Sequence, residues 1–335
     1  MLAQPAVSQA RQRTPLADTA YNSGLISAES LGRGGTFAAS PGSMAAASEN
    51  PAAIAGSANE NNATYVTALV DNVHRSTSSE AGLFTDPEEE KVLRYLSMGS
   101  GQGMIFFQPL GRLQINQPLV MPDGTTVGTQ DVDFYANSFG FAAAEKWGRG
   151  GIGISLSYLW TGLGTADHVT GLSDKSSLDS GDGANASLGL RFPTGPTMWG
   201  LVVQNGIVWW KSHQHDSLPV KIRVGNTWKM SPGFLLTVED EKRFYQSGQQ
   251  ENVISVGNES YLSQQIILRV GVFSSHMDQA EQRHWTGGVT VLAENGVHVS
   301  FGFELFDLPP GREMRSLVSV VAPFASAGAE ESSSK

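Results

Sequence analysis

The chain has 335 residues, a formal charge of −10, only 16% charged residues, 38 glycines and no cysteine. An acidic chain without a basic block is a poor nucleic-acid binder, and the lack of cysteine excludes a disulfide framework, a Cys-based zinc site and a thiol nucleophile. A composition rich in Gly, Ser and Val also excludes a coiled coil and suits many strands joined by many turns.

Residues 1–30 read as a polar extension. Met1-Leu2-Ala3-Gln4-Pro5 lacks the basic start and apolar core of a secretory signal, so an exported protein is expected to have had its signal removed from this chain. Residues 31–60 are dominated by small side chains, which let backbone approach another surface closely, and their glycines allow tight turns. This segment is expected to lie inside the molecule. Asn50-Pro51 reads as a turn or helix start.

From Thr64 a strand rhythm begins. Residues 76–101 interrupt it: Asp86 and Pro87 read as the cap and first position of a short helix carrying Val92, Leu93, Tyr95 and Leu96. Met104–Leu113 reads as a strand, and 116–130, with Pro118, Pro122 and Asp123-Gly124, as a turn. Thereafter apolar residues recur at every second position, as in Ile152, Ile154, Leu156, Tyr158 and Trp160, or Val297, Val299, Phe301, Phe303 and Leu305. A period of two gives one apolar face and one polar or small face. Weaker runs at 130–145, 197–210, 234–243, 252–260, 284–293 and 314–324 bring the count to about thirteen strands. Residues 165–183 and 273–284 read as long polar loops and are the expected contact sites for any protein partner. The body is expected to span 61–324, followed by a disordered acidic tail at 325–335.

No apolar run reaches the ~18 residues of a helical membrane span, but a closed barrel of ~9–11-residue strands needs none. Alternation is shared by a soluble sandwich, which turns its apolar faces inward, and a membrane barrel, which turns them toward lipid. A Gly/Ser-rich polar face favours the barrel. So do aromatic residues near strand ends (Trp160, Trp199, Trp209, Trp228, Trp285) and a last strand alternating through Val318, Val320 and Ala322 to Phe324.

Leu31-Gly32-Arg33-Gly34-Gly35, followed by Asn50-Pro51-Ala52, resembles the N-terminal plug of the FadL-type outer-membrane transporters. PorV-like barrels carry a similar segment. The strands Leu218–Gly225 and Ile267–Gly271 have the apolar–basic–apolar–Gly cadence of that superfamily. The resemblance covers the plug and roughly residues 215–305. It implies an all-β, antiparallel up-and-down transmembrane barrel of about fourteen strands in the bacterial outer membrane, with residues 31–60 blocking its lumen. It implies no enzymatic activity and no cofactor. Expected plug residues are Leu31, Gly32, Arg33, Gly34, Gly35, Phe37, Asn50 and Pro51. The implied function is passive transport of hydrophobic small molecules such as long-chain fatty acids, with membrane lipid around the barrel. A PorV-like role as a partner in secretion and surface display is one alternative, and a soluble β-rich binding module is another. The residues before Asn50 (Ala47-Ser48-Glu49) lack the aromatic often seen there in the family.

Within a barrel the alternation directs Arg191, Lys221, Arg223, Glu239, Glu241, Arg269, His298 and Glu304 to the lumen. They are candidates for a ligand carboxylate site or for a ladder of opposite charges across neighbouring strands. Pairing of 218–228 with 234–243 would set Lys221 or Arg223 near Glu239 or Glu241. Arg33, costly if unpaired inside a lumen, is expected to meet a lumenal carboxylate. His213 and His215 offer no third ligand, and Asp174, Asp179 and Asp182 do not fit a calcium loop, so no metal is expected. No nucleophile elbow or phosphate loop is present.

Overall fold

The computed structural model describes residues 26–40, 45–56, 63–73, 93–100, 102–120, 124–169, 171, 173–211, 218–245, 248–277, 280–308 and 311–323. Fourteen antiparallel strands close into one barrel: β1 (Ala63–Val73), β2 (Leu93–Ser100), β3 (Gly103–Val120), β4 (Thr126–Trp147), β5 (Gly150–Val169), β6 (Lys175–Thr194), β7 (Thr197–Trp210), β8 (Val220–Ser231), β9 (Phe234–Phe244), β10 (Gln250–Tyr261), β11 (Ile266–Met277), β12 (Ala280–Leu292), β13 (His298–Leu308) and β14 (Gly311–Pro323). Each strand pairs with its sequence neighbours. The ring closes where β1 meets β14, from Ala63 opposite Pro323 to Val73 opposite Met314. No strand edge is left open.

The alternation sets which face points where. On β5, Ile152, Ile154, Leu156 and Tyr158 stand outside, each about half exposed, while Ser155 and Ser157 are buried inside. On β13, Val299 and Phe301 face out, and Ser300 and Glu304 face in. The same division holds for Ile222 and Val224 against Arg223, and for Leu268 and Val270 against Arg269. Among the described residues no second sheet covers the apolar rows. A belt of exposed Val, Ile, Leu and Phe around a polar interior is the arrangement that lipid satisfies. Trp147, Trp209 and Trp285 are among its most exposed members. Among the described residues, no helix is long and apolar enough to cross a membrane.

Four local expectations are corrected. Leu93, Tyr95 and Leu96 belong to strand β2, not to a helix; Asp86 and Pro87 lie outside the described residues. β2 carries a bulge, since Ala68 pairs with Leu93 but Thr67 with Tyr95. Arg94 and Tyr95 are therefore both buried, and the break in alternation imitates a helical spacing. Most of 165–183 is strand, because β5 and β6 pair from Asp167 opposite Lys175 downward. Likewise 273–284 is mostly the β11–β12 hairpin, paired up to Met277 opposite Ala280. These strands outrun the ~9–11 residues a bilayer requires, and strand beyond the lipid needs no apolar face, so its composition reads as loop. Finally, β3 runs through Pro118 to Val120, which leaves a shorter turn with Gly124 at φ +87°. His213, His215, Phe324 and the tail lie outside the described residues.

Candidate functional site

Residues 26–40 and 45–56 form an inner segment packed against the lumenal wall. Helix α1 (Ala28–Gly32) starts at Ser27, whose Oγ accepts from Ser30 N at 3.0 Å. It ends at Gly34 and Gly35, whose φ values of +68° and +80° turn the chain back. Gly35 N then donates to Ser30 O at 2.8 Å. The short helix α2 (Ala46–Glu49) leads through Asn50 into the 3₁₀ helix η1 (Pro51–Gly56). Asn50 Oδ1 accepts from Ala52 N at 3.0 Å, and its Nδ2 donates to Ala38 O at 2.6 Å. One side chain thus starts η1 and ties the two halves of the segment together. Pro51, at the first position, has no N–H to leave unpaired. Glu49 accepts from Ser30 Oγ at 2.7 Å, and burial pushes its carboxyl up to about 7.

The segment follows the wall strand by strand. Ala28 N donates to Ser319 Oγ of β14 at 2.9 Å. Glu29 accepts from Tyr65 of β1 and Ser300 of β13, both at 2.7 Å. Gly34 N donates to Thr286 Oγ1 of β12 at 2.9 Å. The Arg33 guanidinium meets Glu259 of β10 at 3.0 Å, and Arg269 of β11 meets the same carboxylate oxygen at 2.7 Å. Glu239 Oε2 of β9 accepts from Phe37 N at 2.8 Å and Ala38 N at 2.7 Å. Arg223 of β8 lies 3.8 Å above the Phe37 ring. It reaches Glu239 at 3.4 Å and also contacts Glu241.

Glycines make this close approach possible. A Cβ at Gly302 of β13, Gly271 of β11, Gly257 of β10 or Gly200 of β7 would overlap the backbone of Ala28, Arg33, Gly34 or Ala38. One at Gly153 of β5 would overlap Pro51, and one at Gly189 of β6 would overlap the Asn50 side chain. The small lumenal face is thus a seat for the inner segment, strand after strand. In the sequence these glycines read only as filling for a curved interior.

The expected plug residues all lie in this segment. Leu31 is fully buried with Ala28 and Leu317, and Gly32 packs on Gly288 of β12. Of the expected lumenal charges, the structure brings together Arg223, Glu239 and Glu241, and adds Arg243 and Glu251, which meet at 3.0 Å. Lys221 lies among Arg243, Glu241, Arg223 and Glu251, two cations and two acids. Glu304 accepts from His284 at 2.6 Å and lies 3.6 Å from Arg315. Arg191 is buried with no ion-pair partner among the described residues, and His298 is half-buried at the start of β13, in the field of Glu29. Sequence reading missed Glu29, Glu49, Tyr65 and Glu259. Glu259 stands directly opposite Arg269 in the β10–β11 register, so the pairing of those two strands was the signal for it. Among the described residues no acidic or histidine cluster could hold a metal.

A cavity of about 80 Å³ lies between the segment and the wall, lined by Ser48, Gln108, Ser155, Asn185, Gln204 and Leu218 among others.

No family model and no curated protein matches the chain. Solved structures do. The toluene transporter TbuX of Ralstonia pickettii aligns over 91% of this chain and 100% of its own, with a TM-score of 0.64 at 14% identity. A FadL homologue of Pseudomonas aeruginosa aligns over 91% and 100%, with a TM-score of 0.61 at 9% identity. The toluene transporter TodX of Pseudomonas putida aligns over 87% and 95%, with a TM-score of 0.56 at 13% identity. The chain has the FadL-type barrel fold. At these identities it is the fold that is shared, and within this FadL-type barrel the segment contacts and the cavity belong to this chain's own residues.

Proposed function

We propose that the protein is a bacterial outer-membrane channel for passive uptake of small hydrophobic compounds, with residues 31–56 as its plug. The observation that carries this reading is the inner segment, seated on lumenal glycines while the barrel's outside is apolar. Two of the similar structures are toluene transporters, which favours the same activity. Long-chain fatty acids, the cargo implied by the sequence resemblance, are one candidate class and aromatic hydrocarbons another. Transport of this kind makes and breaks no covalent bond. Burial of ligand area at about 25 cal/mol per Å² supplies the binding energy, and displacement of the segment opens the path.

Gly34→Trp tests the plug. A Cβ there would sit 2.9 Å from Val256 O and Val272 N, at a backbone conformation that side chains rarely adopt. Cells carrying the variant should take up a hydrophobic dye faster than cells carrying the unaltered barrel. Unchanged uptake would count against plug gating.

A further inference from the structure

The cavity beside the inner segment is not lined as a hydrocarbon site would be. On three consecutive strands, β5 to β7, it presents Ser155, Ser157, Asn185, Ser187, Gln204 and Asn205. Its apolar lining comes from Ile26 and Phe37 of the segment and from Phe106, Leu110 and Leu218 of the wall. Charge does not dominate it. Arg223 is paired to Glu239 and Glu241, Lys221 lies in the field of two cations, Arg243 and Arg223, as well as two acids, Glu241 and Glu251, and Arg94 and Glu49 also line the space. A carboxylate entering here would meet Arg223 already paired to two acids.

Ser48 indicates what fits. Its Oγ donates to Gln108 Oε1 of β3, and its carbonyl accepts from Gln204 Nε2 of β7. One serine of the segment thus bridges two wall amides, one an acceptor and one a donor. A ligand hydroxyl has both capacities in a single group.

We propose, resting on the transport reading above, that this cavity binds a small hydroxylated aromatic compound of the phenol class, whose hydroxyl takes the place of Ser48 between Gln108 and Gln204. The ring lies against Phe37, Phe106 and Leu218. A cavity of about 80 Å³ holds two or three waters at ~30 Å³ each and is smaller than the ~150 Å³ that accepts benzene. The ring therefore enters only as Ser48 and its segment give way, so recognition of the hydroxyl and release of the plug are one event. A plain hydrocarbon would displace water and leave the amide and hydroxyl groups unpaired, each at a loss of roughly tenfold in affinity.

The test is calorimetric titration of the detergent-solubilised barrel with para-propylphenol and with its methyl ether, para-propylanisole, which keeps the apolar bulk and lacks the donor. The phenol is expected to bind roughly tenfold tighter or better. Gln108→Leu combined with Gln204→Leu should erase that preference. Ser48→Ala, which alters no wall strand, should tighten phenol binding by about fivefold by removing an internal competitor. Heat-modifiable gel mobility checks folding, and the Ser48 variant decides the matter should the double variant lose its barrel. Equal binding of phenol and ether, or a preference that survives the double variant, overturns the proposal and leaves transport standing. Binding of neither compound, together with dye uptake unchanged in Gly34→Trp, overturns both.

Discussion

Strands β8 to β14 meet residues 28–38 of the inner segment around one buried ion pair, Arg33 with Glu259, with the Glu239 carboxylate and the hydroxyls of Thr286, Ser300 and Ser319 beside it, whereas β3 and β7 meet Ser48 with the amides of Gln108 and Gln204. On the charged side Glu259 holds two guanidinium groups, and Glu239 holds two backbone N–H groups and Arg223. The cavity lies where the two sides meet, lined by Ser155, Asn185 and Gln204 and also by Phe37, Lys221 and Arg223. Ion pairs out of water are costly to break from one end, because the remaining charge stays buried. Hydrogen bonds between neutral groups exchange readily with water or ligand. One half of the segment is therefore held by a buried ion pair and the other by hydrogen bonds between neutral groups.

The largest expected effect breaks the clamp. Glu259→Ala leaves Arg33 and Arg269 without their shared carboxylate, a loss of about 3–5 kcal/mol. Amide exchange at Gly34 and Gly35 should accelerate by at least about a hundredfold, and an unchanged rate would remove the ion pairs from the account. Next comes pH. The Glu49 carboxyl titrates near 4.5 when unfolded and at about 7 in place. The folded state therefore holds the proton more tightly, and the stabilisation is complete below pH 4.5 and lost as pH rises to about 7. The loss is about 3 kcal/mol, read as growing protease sensitivity of the segment across that window, and Glu49→Gln should flatten the dependence. Glu239→Gln keeps an acceptor for Phe37 N and Ala38 N but removes the charge facing Arg223. It should cost about 1–3 kcal/mol, measured as faster exchange at those two amides. Ser187→Ala, on the neutral side, removes an acceptor for Asn205 N and should change thermal stability by less than about 1 kcal/mol. A loss as large as that for Glu259→Ala would erase the contrast between the two sides.

Where lipid and lumen impose opposite demands on alternate residues, the fold was legible. Ile152 to Trp160 and Val297 to Leu305 identify strands because each residue must satisfy one of two solvents. Legibility failed where that demand lapsed. The Ser- and Asp-rich outer ends of β5 and β6 face water on both sides, and the bulge in β2 puts Arg94 and Tyr95 on one face together. At the candidate site, the small residues of 31–56 marked a segment fit for close packing, but not which carboxylates would receive Arg33 or the N–H groups of Phe37 and Ala38.

The sequence by itself determined the faces of the strands and the smallness of the inner segment, because a period of two and the absence of bulk are properties of neighbouring residues. Only the tertiary structure decided that Glu259 serves both Arg33 and Arg269, that Ser48 joins Gln108 to Gln204, and that glycines on successive strands form one seat. Those contacts depend on strand register and on the path of the inner segment around the wall. Both are set by closure of the whole ring, where residues more than two hundred positions apart come within hydrogen-bond reach.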